Sequence, residues 1–145
     1  MASPFLVALR WEVRSTLRVV SPQPKISCLM VTSRRPKLVL RAIACYLAQT
    51  YPCKELVIVE HGDPDDDGLK QRLAALGRAD IVHVRVPLNA TVKLGDLRNI
   101  SLAASSGEYV VQWDDDDWHS AQRLQLQYDA LQGADVCFLQ RLILA

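Results

Sequence analysis

Four consecutive aspartates, Asp114 to Asp117, directly follow a strand-like run, Glu108 to Trp113. Adjacent carboxylates repel one another, so a folded protein keeps such an acid run only where solvent or a cation compensates its charge. Carboxylate oxygens are hard ligands that suit Mg²⁺, Mn²⁺ or Ca²⁺. A solvated acidic loop is the simpler interpretation. The position of the acid run between an apolar strand and a helix instead favours a divalent cation and, through it, a phosphorylated ligand.

The spacing within the acid run suits a bound diphosphate. Its first and third, or its second and fourth, aspartates form an Asp-x-Asp arrangement, which presents carboxylates to a metal and to a ribose from one short turn. A bound cation would neutralise a leaving diphosphate as its bond breaks. Basic side chains elsewhere in the chain, such as Lys93 or Arg98, are candidates to hold the phosphates.

Strands and helices alternate from Lys25 onward, and the strands are continuous apolar runs. Such runs are typical of a parallel sheet covered by helices on both faces. The predicted fold is therefore α/β, a three-layer α/β/α sandwich with a mostly parallel, Rossmann-like sheet. The predicted strands are Ile26 to Thr32, Glu55 to Glu60, Asp80 to Val86, Glu108 to Trp113 and Asp135 to Leu144. The predicted helices begin near Pro36, Leu69, Leu94 and Ser120, and the first presents Leu40, Ile43, Ala44 and Leu47 at helical spacing.

In open α/β sheets, ligands bind at the carboxyl ends of the strands. That rule selects three polar segments of this chain: Thr32 to Arg34, Glu60 to Asp63, and the acid run. The unusual polar residues therefore fall where a ligand is expected.

Length and composition limit the remaining possibilities. The 145 residues suit one domain with an adequate core, and a net charge of +1 gives no electrostatic argument for binding nucleic acid. The spacings of Cys28, Cys45, Cys53 and Cys137 match no zinc site, so all four are expected to be reduced. Reduced cysteines are typical of a reducing compartment, so a cytoplasmic protein is expected.

The first 24 residues are expected to be an extension that precedes the domain, which would cover residues 25–145. Met1 to Val20 is apolar, with Arg10, Arg14 and Arg18 about one helical turn apart. This pattern predicts an amphipathic helix on the domain or on the inner face of a membrane, or a targeting-like segment.

Several motifs in order resemble those of family 2 glycosyltransferases with the GT-A fold, specifically their N-terminal, nucleotide-sugar-binding half. Each motif alone is weak, but their order and spacing fit from about residue 25 to residue 145. The matching stretches are Lys25 to Ser33, Ala48 to Pro52, Glu55 to Gly62, Leu94 to Asn99, Gly107 to Trp118, and Arg123-Leu124.

The resemblance implies transfer of a sugar from a nucleotide-diphosphate sugar, with Mn²⁺ or Mg²⁺ as cofactor, as in cell-surface polysaccharide synthesis. It implies inversion at the anomeric carbon and an acceptor that is a glycan, a lipid or a protein. Asp116 would be the main metal ligand, supported by Asp114. The residues that would bind the nucleotide-sugar are Thr32, Arg34, Glu60, His61, Lys93, Arg98, Asp114 and Asp115.

Two departures from the family pattern leave alternatives open. Glu60-His61 replaces the common Asp-Asp, which puts recognition of the base in doubt. The sequence also stops where family members continue, so the fold is expected to be truncated at its C-terminus, and no general base is found. The alternatives are a truncated, non-catalytic domain that binds nucleotide or metal, and another metal-dependent phosphate enzyme. An exposed C-terminal strand would also favour pairing with a second copy.

Overall fold

The computed structural model describes residues 8–10, 23–63, 68–88, 91–131 and 133–139. These residues form six strands and four helices. The strands are β1 (Ala8–Arg10), β2 (Ile26–Thr32), β3 (Lys54–Gly62), β4 (Ile81–Pro87), β5 (Tyr109–Gln112) and β6 (Val136–Cys137). The helices are α1 (Pro36–Leu47), α2 (Gly68–Leu76), α3 (Leu94–Ala104) and α4 (Arg123–Leu131).

The strands form one sheet in the order β4-β3-β2-β5-β1-β6, and the first four are parallel neighbours. Side chains alternate across the sheet, so Met30 and Ile58 face α1, α2 and α4, whereas Leu29 and Val57 face α3. The predicted three-layer α/β/α sandwich is confirmed. No helix in the described part of the chain is both long enough and apolar enough to cross a bilayer.

The N-terminal segment differs from its prediction where it is described. Ala8–Arg10 forms β1, which lies antiparallel between β5 and β6, instead of part of an amphipathic helix. Leu9 pairs with both Val110 and Val136, so β1 supplies the backbone partners that the outer edge of β5 needs. The rest of the extension lies outside the described residues.

The last predicted strand is shorter than expected. β6 contains only Val136–Cys137, and Phe138 and Leu139 follow it outside the strand. The remainder of the predicted range, from residue 140, lies outside the described residues.

Helix α1 begins at Pro36 as predicted, but only part of its predicted apolar face is buried, since Ile43 is buried and Leu40 is half-buried. Ala44 and Leu47 are exposed, whereas Tyr46 turns inward and donates a hydrogen bond from its hydroxyl to Asp80 Oδ2 at 2.8 Å. Two apolar faces overlap in this helix, and the partner on another element decides which one packs. The buried residues are Val39, Ala42, Ile43, Cys45 and Tyr46.

A buried carboxylate, Glu55, joins the amino ends of β2, β3 and β5. It accepts hydrogen bonds from Ser27 Oγ at 2.6 Å and from the Ser106 backbone N–H at 2.6 Å, and pairs with Lys25 Nζ at 2.6 Å. Gly107 donates to Ser27 Oγ, and a Cβ at Gly107 would lie 2.5 Å from that atom. Burial alone raises the pKa of Glu55, but the bonds from Lys25, Ser27 and Ser106 outweigh it and lower the pKa to about 2.

We predict that Glu55→Gln lowers the free energy of unfolding by about 2 kcal/mol at neutral pH. The depressed pKa means that the ionised form stabilises the fold above about pH 4.5, and that this stabilisation is lost as the pH falls toward 2. Urea unfolding at several pH values measures the effect, and the difference between the two proteins should shrink as the pH falls. The control is Asp129→Asn, at an exposed position on α4. A loss that is the same at neutral and acidic pH would contradict the prediction.

Candidate functional site

The acid run lies where β2 and β5 end side by side. The two strands are parallel, and Trp113 N donates to Leu29 O at 2.8 Å one residue beyond β5. Asp115, only 4% exposed, accepts a hydrogen bond at Oδ2 from Thr32 Oγ1 at 2.6 Å. Two residues that were predicted to contact a nucleotide are therefore in direct contact across the sheet edge.

Two arginines contact the acid run, Arg35 from the N-terminal end of α1 and Arg41 from the middle of that helix. Arg35 Nη1 lies 3.2 Å from Asp115 Oδ1 and 3.3 Å from Asp116 Oδ2. Arg41 donates to the carbonyl oxygen of Asp116 at 2.7 Å, and its guanidinium lies 5.0 Å from the ring centroid of the exposed Trp118. The negative charge of the run is thus partly compensated from this side.

A buried arginine supports the acid run from beneath. Arg123, 5% exposed, donates to Gln112 O at 2.7 Å and to Gln127 Oε1 at 3.2 Å, and its guanidinium lies 4.8 Å from the Trp113 ring centroid. Burial lowers its pKa to about 10, so it stays charged at neutral pH. Its positive charge interacts favourably with the carboxylates of Asp114 and Asp117.

Arg123 also fixes the state of His119. Burial, and then the charge of Arg123, lower the pKa of His119 to about 3, so the ring is neutral. Nδ1 accepts a hydrogen bond from Arg123, so the proton lies on Nε2, which donates to Asp114 O at 3.3 Å. The histidine thereby connects the buried cation to the backbone of the acid run.

The four aspartates are not equivalent. Asp114 Oδ1 accepts from Gln112 Nε2 at 2.9 Å, whereas the side chain of Asp116 is 59% exposed. Burial, and then the charges of Asp114 and Asp116, raise the pKa of Asp117 above its usual value. Asp116 is thus the carboxylate of the run most open to a ligand.

A cleft of about 140 Å³ opens beside this edge. Thr32, which is bonded to Asp115, forms part of its wall, so the cleft adjoins the acid run. Arg34 adopts a left-handed backbone conformation, with φ at 54°, where β2 leads into α1. The lining residues are Thr32, Arg34, Arg35, Pro36, Val39, Glu60, Gly68, Leu69 and Arg72.

Glu60 is a fixed part of this cleft. It is opposite Thr32 on β2 and opposite Arg85 on β4, so the three side chains form a row across the sheet edge. Glu60 Oε2 lies 2.9 Å from His83 Nε2 and 3.1 Å from Arg85 Nη2. The next residue, His61, alternates away from that row, and its carbonyl oxygen accepts from Ser33 Oγ at 2.8 Å.

Lys93 and Arg98 are exposed at the start of α3. The Lys93 backbone N–H donates to Asp96 Oδ2 at 2.9 Å, which caps the helix. Among the described residues, neither side chain forms a hydrogen bond or ion pair with the acid run. The structure therefore brings together Thr32, Asp115 and Asp116 with Arg34 and Glu60 nearby, but does not bring these two cations to the same point.

The structure shows how the carboxylates that were predicted to hold a metal ion are arranged. In the described part of the chain, no three His, Cys, Asp or Glu side chains lie close enough together to hold a metal ion. Two carboxylates do converge, because Asp115 and Asp116 share the same nitrogen of Arg35. That nitrogen belongs to a positively charged guanidinium, which balances the charge of both carboxylates. One or two carboxylates with ligand phosphates and water form the usual donor set for Mg²⁺, so these residues fit a hard cation.

Sequence reasoning identified neither Arg35 nor Arg123 as a site residue. Arg123 belongs to one of the family motifs, whereas Arg35 stands between Arg34 and Pro36 with no distinguishing pattern. The signal that was available is the need of four adjacent carboxylates for nearby positive charge. The sequence does not show which of the chain's arginines and lysines supply it.

A sequence model of Glycosyl transferase family 2 matches residues 27–143 of this chain. The chain belongs to that family. The matched range runs from the second residue of β2 through β6 and contains the cleft and the acid run, so it includes every candidate site residue.

Similar proteins agree with this assignment. This chain is 32% identical over 103 residues to "Putative colanic acid biosynthesis glycosyl transferase WcaA" of Escherichia coli (strain K12). The aligned region covers 71% of this chain and 36% of the relative. Two solved structures show the same fold. S. aureus TarS (residues 1–349) matches with a TM-score of 0.64 at 21% identity, covering 75% of this chain and 32% of TarS.

The second structure is mannosyltransferase PcManGT from Pyrobaculum calidifontis, in complex with GDP-Man and Mn²⁺. It matches with a TM-score of 0.60 at 23% identity and covers 75% of this chain and 32% of that enzyme. The predicted GT-A fold is confirmed by these neighbours. This family 2 chain spans about a third of the length of the relatives it matches.

We predict that Arg123→Gln lowers the free energy of unfolding by about 3 kcal/mol, because it removes a buried cation and leaves its acceptors unsatisfied. Chemical denaturation measures the effect. The matched control is Arg98→Gln, an exposed arginine on α3, which should change stability by less than about 0.5 kcal/mol. Equal stabilities for the two variants would show that Arg123 does not support the acid run.

Proposed function

We propose that this chain is the donor-binding part of a glycosyltransferase and that it binds a nucleotide-diphosphate sugar at the carboxyl edge of its sheet. The observation that carries the proposal is the hydrogen bond between Thr32, which lines the cleft, and Asp115, next to which Asp116 pairs with Arg35. Related folds support the donor class: one TarS structure is in complex with UDP-GlcNAc, and PcManGT with GDP-Man and Mn²⁺.

The cation would lie between Asp115 and Asp116, the two carboxylates that converge. When bound, Mn²⁺ or Mg²⁺ would supply Lewis-acid neutralisation of the diphosphate leaving group. Asp115 cannot move far, because it is buried and bonded to Thr32, so it fixes the position of the site. Asp116 is exposed and can adjust to its ligand. Asp114 is held by Gln112, and we assign it a supporting role.

The cleft would hold the nucleoside. Thr32 and Glu60 form its wall at the ends of β2 and β3, and Glu60 is kept in place by His83 and Arg85. A carboxylate fixed in this way is a suitable acceptor for an N–H group of a base. Arg34 also lines the cleft, and its positive charge would attract the diphosphate. We propose supporting roles for His61, Lys93 and Arg98.

The reaction would break the bond between the anomeric carbon and the diphosphate and form a bond from that carbon to an acceptor oxygen. A base must remove the acceptor proton, and we assign that role to no residue of this chain. Inversion at the anomeric carbon remains part of the proposal. The WcaA relative, named for colanic acid biosynthesis, supports a polysaccharide as the acceptor class.

Titration of UDP, GDP, CDP and dTDP into the protein with Mn²⁺ tests the proposal by calorimetry. We predict that one of them binds and that a chelator abolishes its binding. Asp116→Ala should also abolish metal-dependent binding without unfolding the protein, because the side chain is 59% exposed.

Asp129→Ala, which removes an exposed carboxylate from α4, is the matched control and should bind like the wild-type chain. Nucleotide binding that survives both the chelator and Asp116→Ala would contradict the proposed cation site. A folded wild-type chain that binds none of the four nucleotides would contradict the proposal that this chain binds the donor by itself.

A further inference from the structure

The contact of Arg35 with the acid run is asymmetric. The side chain of Asp115 is 5% exposed and held by Thr32, whereas the side chain of Arg35 is 50% exposed and comes from the loop before α1. The carboxylate is therefore fixed and the guanidinium is movable. A long side chain that is half in solvent recovers rotamer entropy when it is released.

A divalent cation and Arg35 cannot use the two carboxylates at once. Arg35 Nη1 already lies 3.2 Å from Asp115 and 3.3 Å from Asp116, so an ion bound to both would lie next to the guanidinium charge. Like charges at such distances repel by several kcal/mol where the local dielectric constant is about 20. One cation must leave before the other binds.

We propose that Arg35 is an internal counter-cation of this site, which occupies Asp115 and Asp116 until it is exchanged for a divalent cation. The inference rests on the proposed cation site and adds a device that regulates its occupancy. It explains how a buried carboxylate next to other carboxylates remains compensated when no cation is bound.

The released side chain stays next to the ligand. Arg35 also lines the cleft, together with Arg34 and Arg72. A guanidinium that leaves the carboxylates can there pair with a diphosphate, whose oxygens match its planar fork. Binding of a nucleoside diphosphate and of the cation should consequently be cooperative, because each favours the same released state of Arg35.

The test measures Mn²⁺ affinity by the electron paramagnetic resonance signal of the free ion, first without nucleotide. Arg35→Gln removes the competitor and should bind Mn²⁺ roughly three- to tenfold more tightly than the wild-type chain. Arg35→Lys keeps a competing charge and should lie between the two. The matched control is Lys37→Gln, which removes the same charge two residues away, at an exposed position on α1, and should bind like the wild-type chain.

The titrations are then repeated with UDP and with GDP. The nucleotide that binds should raise the Mn²⁺ affinity of the wild-type chain by a larger factor than that of Arg35→Gln. Circular dichroism and unfolding confirm that each variant is folded.

The outcomes separate the inference from the proposed function. Measurable and equal Mn²⁺ affinities for wild type and Arg35→Gln, or weaker binding by the variant, overturn the role of Arg35 and leave the cation site standing. An equal gain for Lys37→Gln also overturns that role, since the effect would then be one of net charge. Absence of Mn²⁺ binding by every protein, with or without either nucleotide, overturns both.

Discussion

The buried carboxylate of Asp115 is the constraint around which the site is arranged. A carboxylate that is 4% exposed needs hydrogen bonds or counter-charge, because an uncompensated buried charge is costly. Thr32 and Arg35 supply both, and each belongs to a different segment from Asp115. Satisfying this one group therefore ties the end of β5 to the end of β2 and to the loop that opens α1. The cleft opens beside this junction and is lined by the end of β2, the start of α1, Glu60 of β3 and residues of α2.

The remaining charges of the acid run are compensated from two sides. Arg123 lies beneath, buried against Trp113, and connects to the run through His119 and Gln112. Arg35 and Arg41 lie on the solvent side and are more exposed. The buried contact holds the run in place, and the exposed contacts can exchange with a ligand. Arg123 therefore supports the loop from its buried side, whereas the arginines that can be exchanged for a ligand lie on its solvent side.

The sequence predicted the parts of this structure that depend on local pattern. The apolar run Ile26 to Thr32 matches β2 at both ends, and parallel topology then placed Thr32 and the acid run at the same edge. Non-local choices were not predictable. The face of α1 depends on Asp80 as a partner for Tyr46, and β1 depends on the open edge of β5. The pairing of Arg35 with the acid run depends on how α1 is placed, which no spacing in the chain encodes.

We propose above all that Asp115 and Asp116 form one cation site that a nucleoside diphosphate completes. The most direct test is a crystal structure of the chain with Mn²⁺ and the nucleoside diphosphate that it binds, with anomalous scattering recorded at the manganese edge. We expect an anomalous peak within coordination distance of Asp116 and of the diphosphate, with the nucleoside in the cleft beside Thr32 and Glu60. A nucleotide bound at this edge with no manganese beside it, or a peak at another place on the molecule, would show that the two aspartates do not form this site.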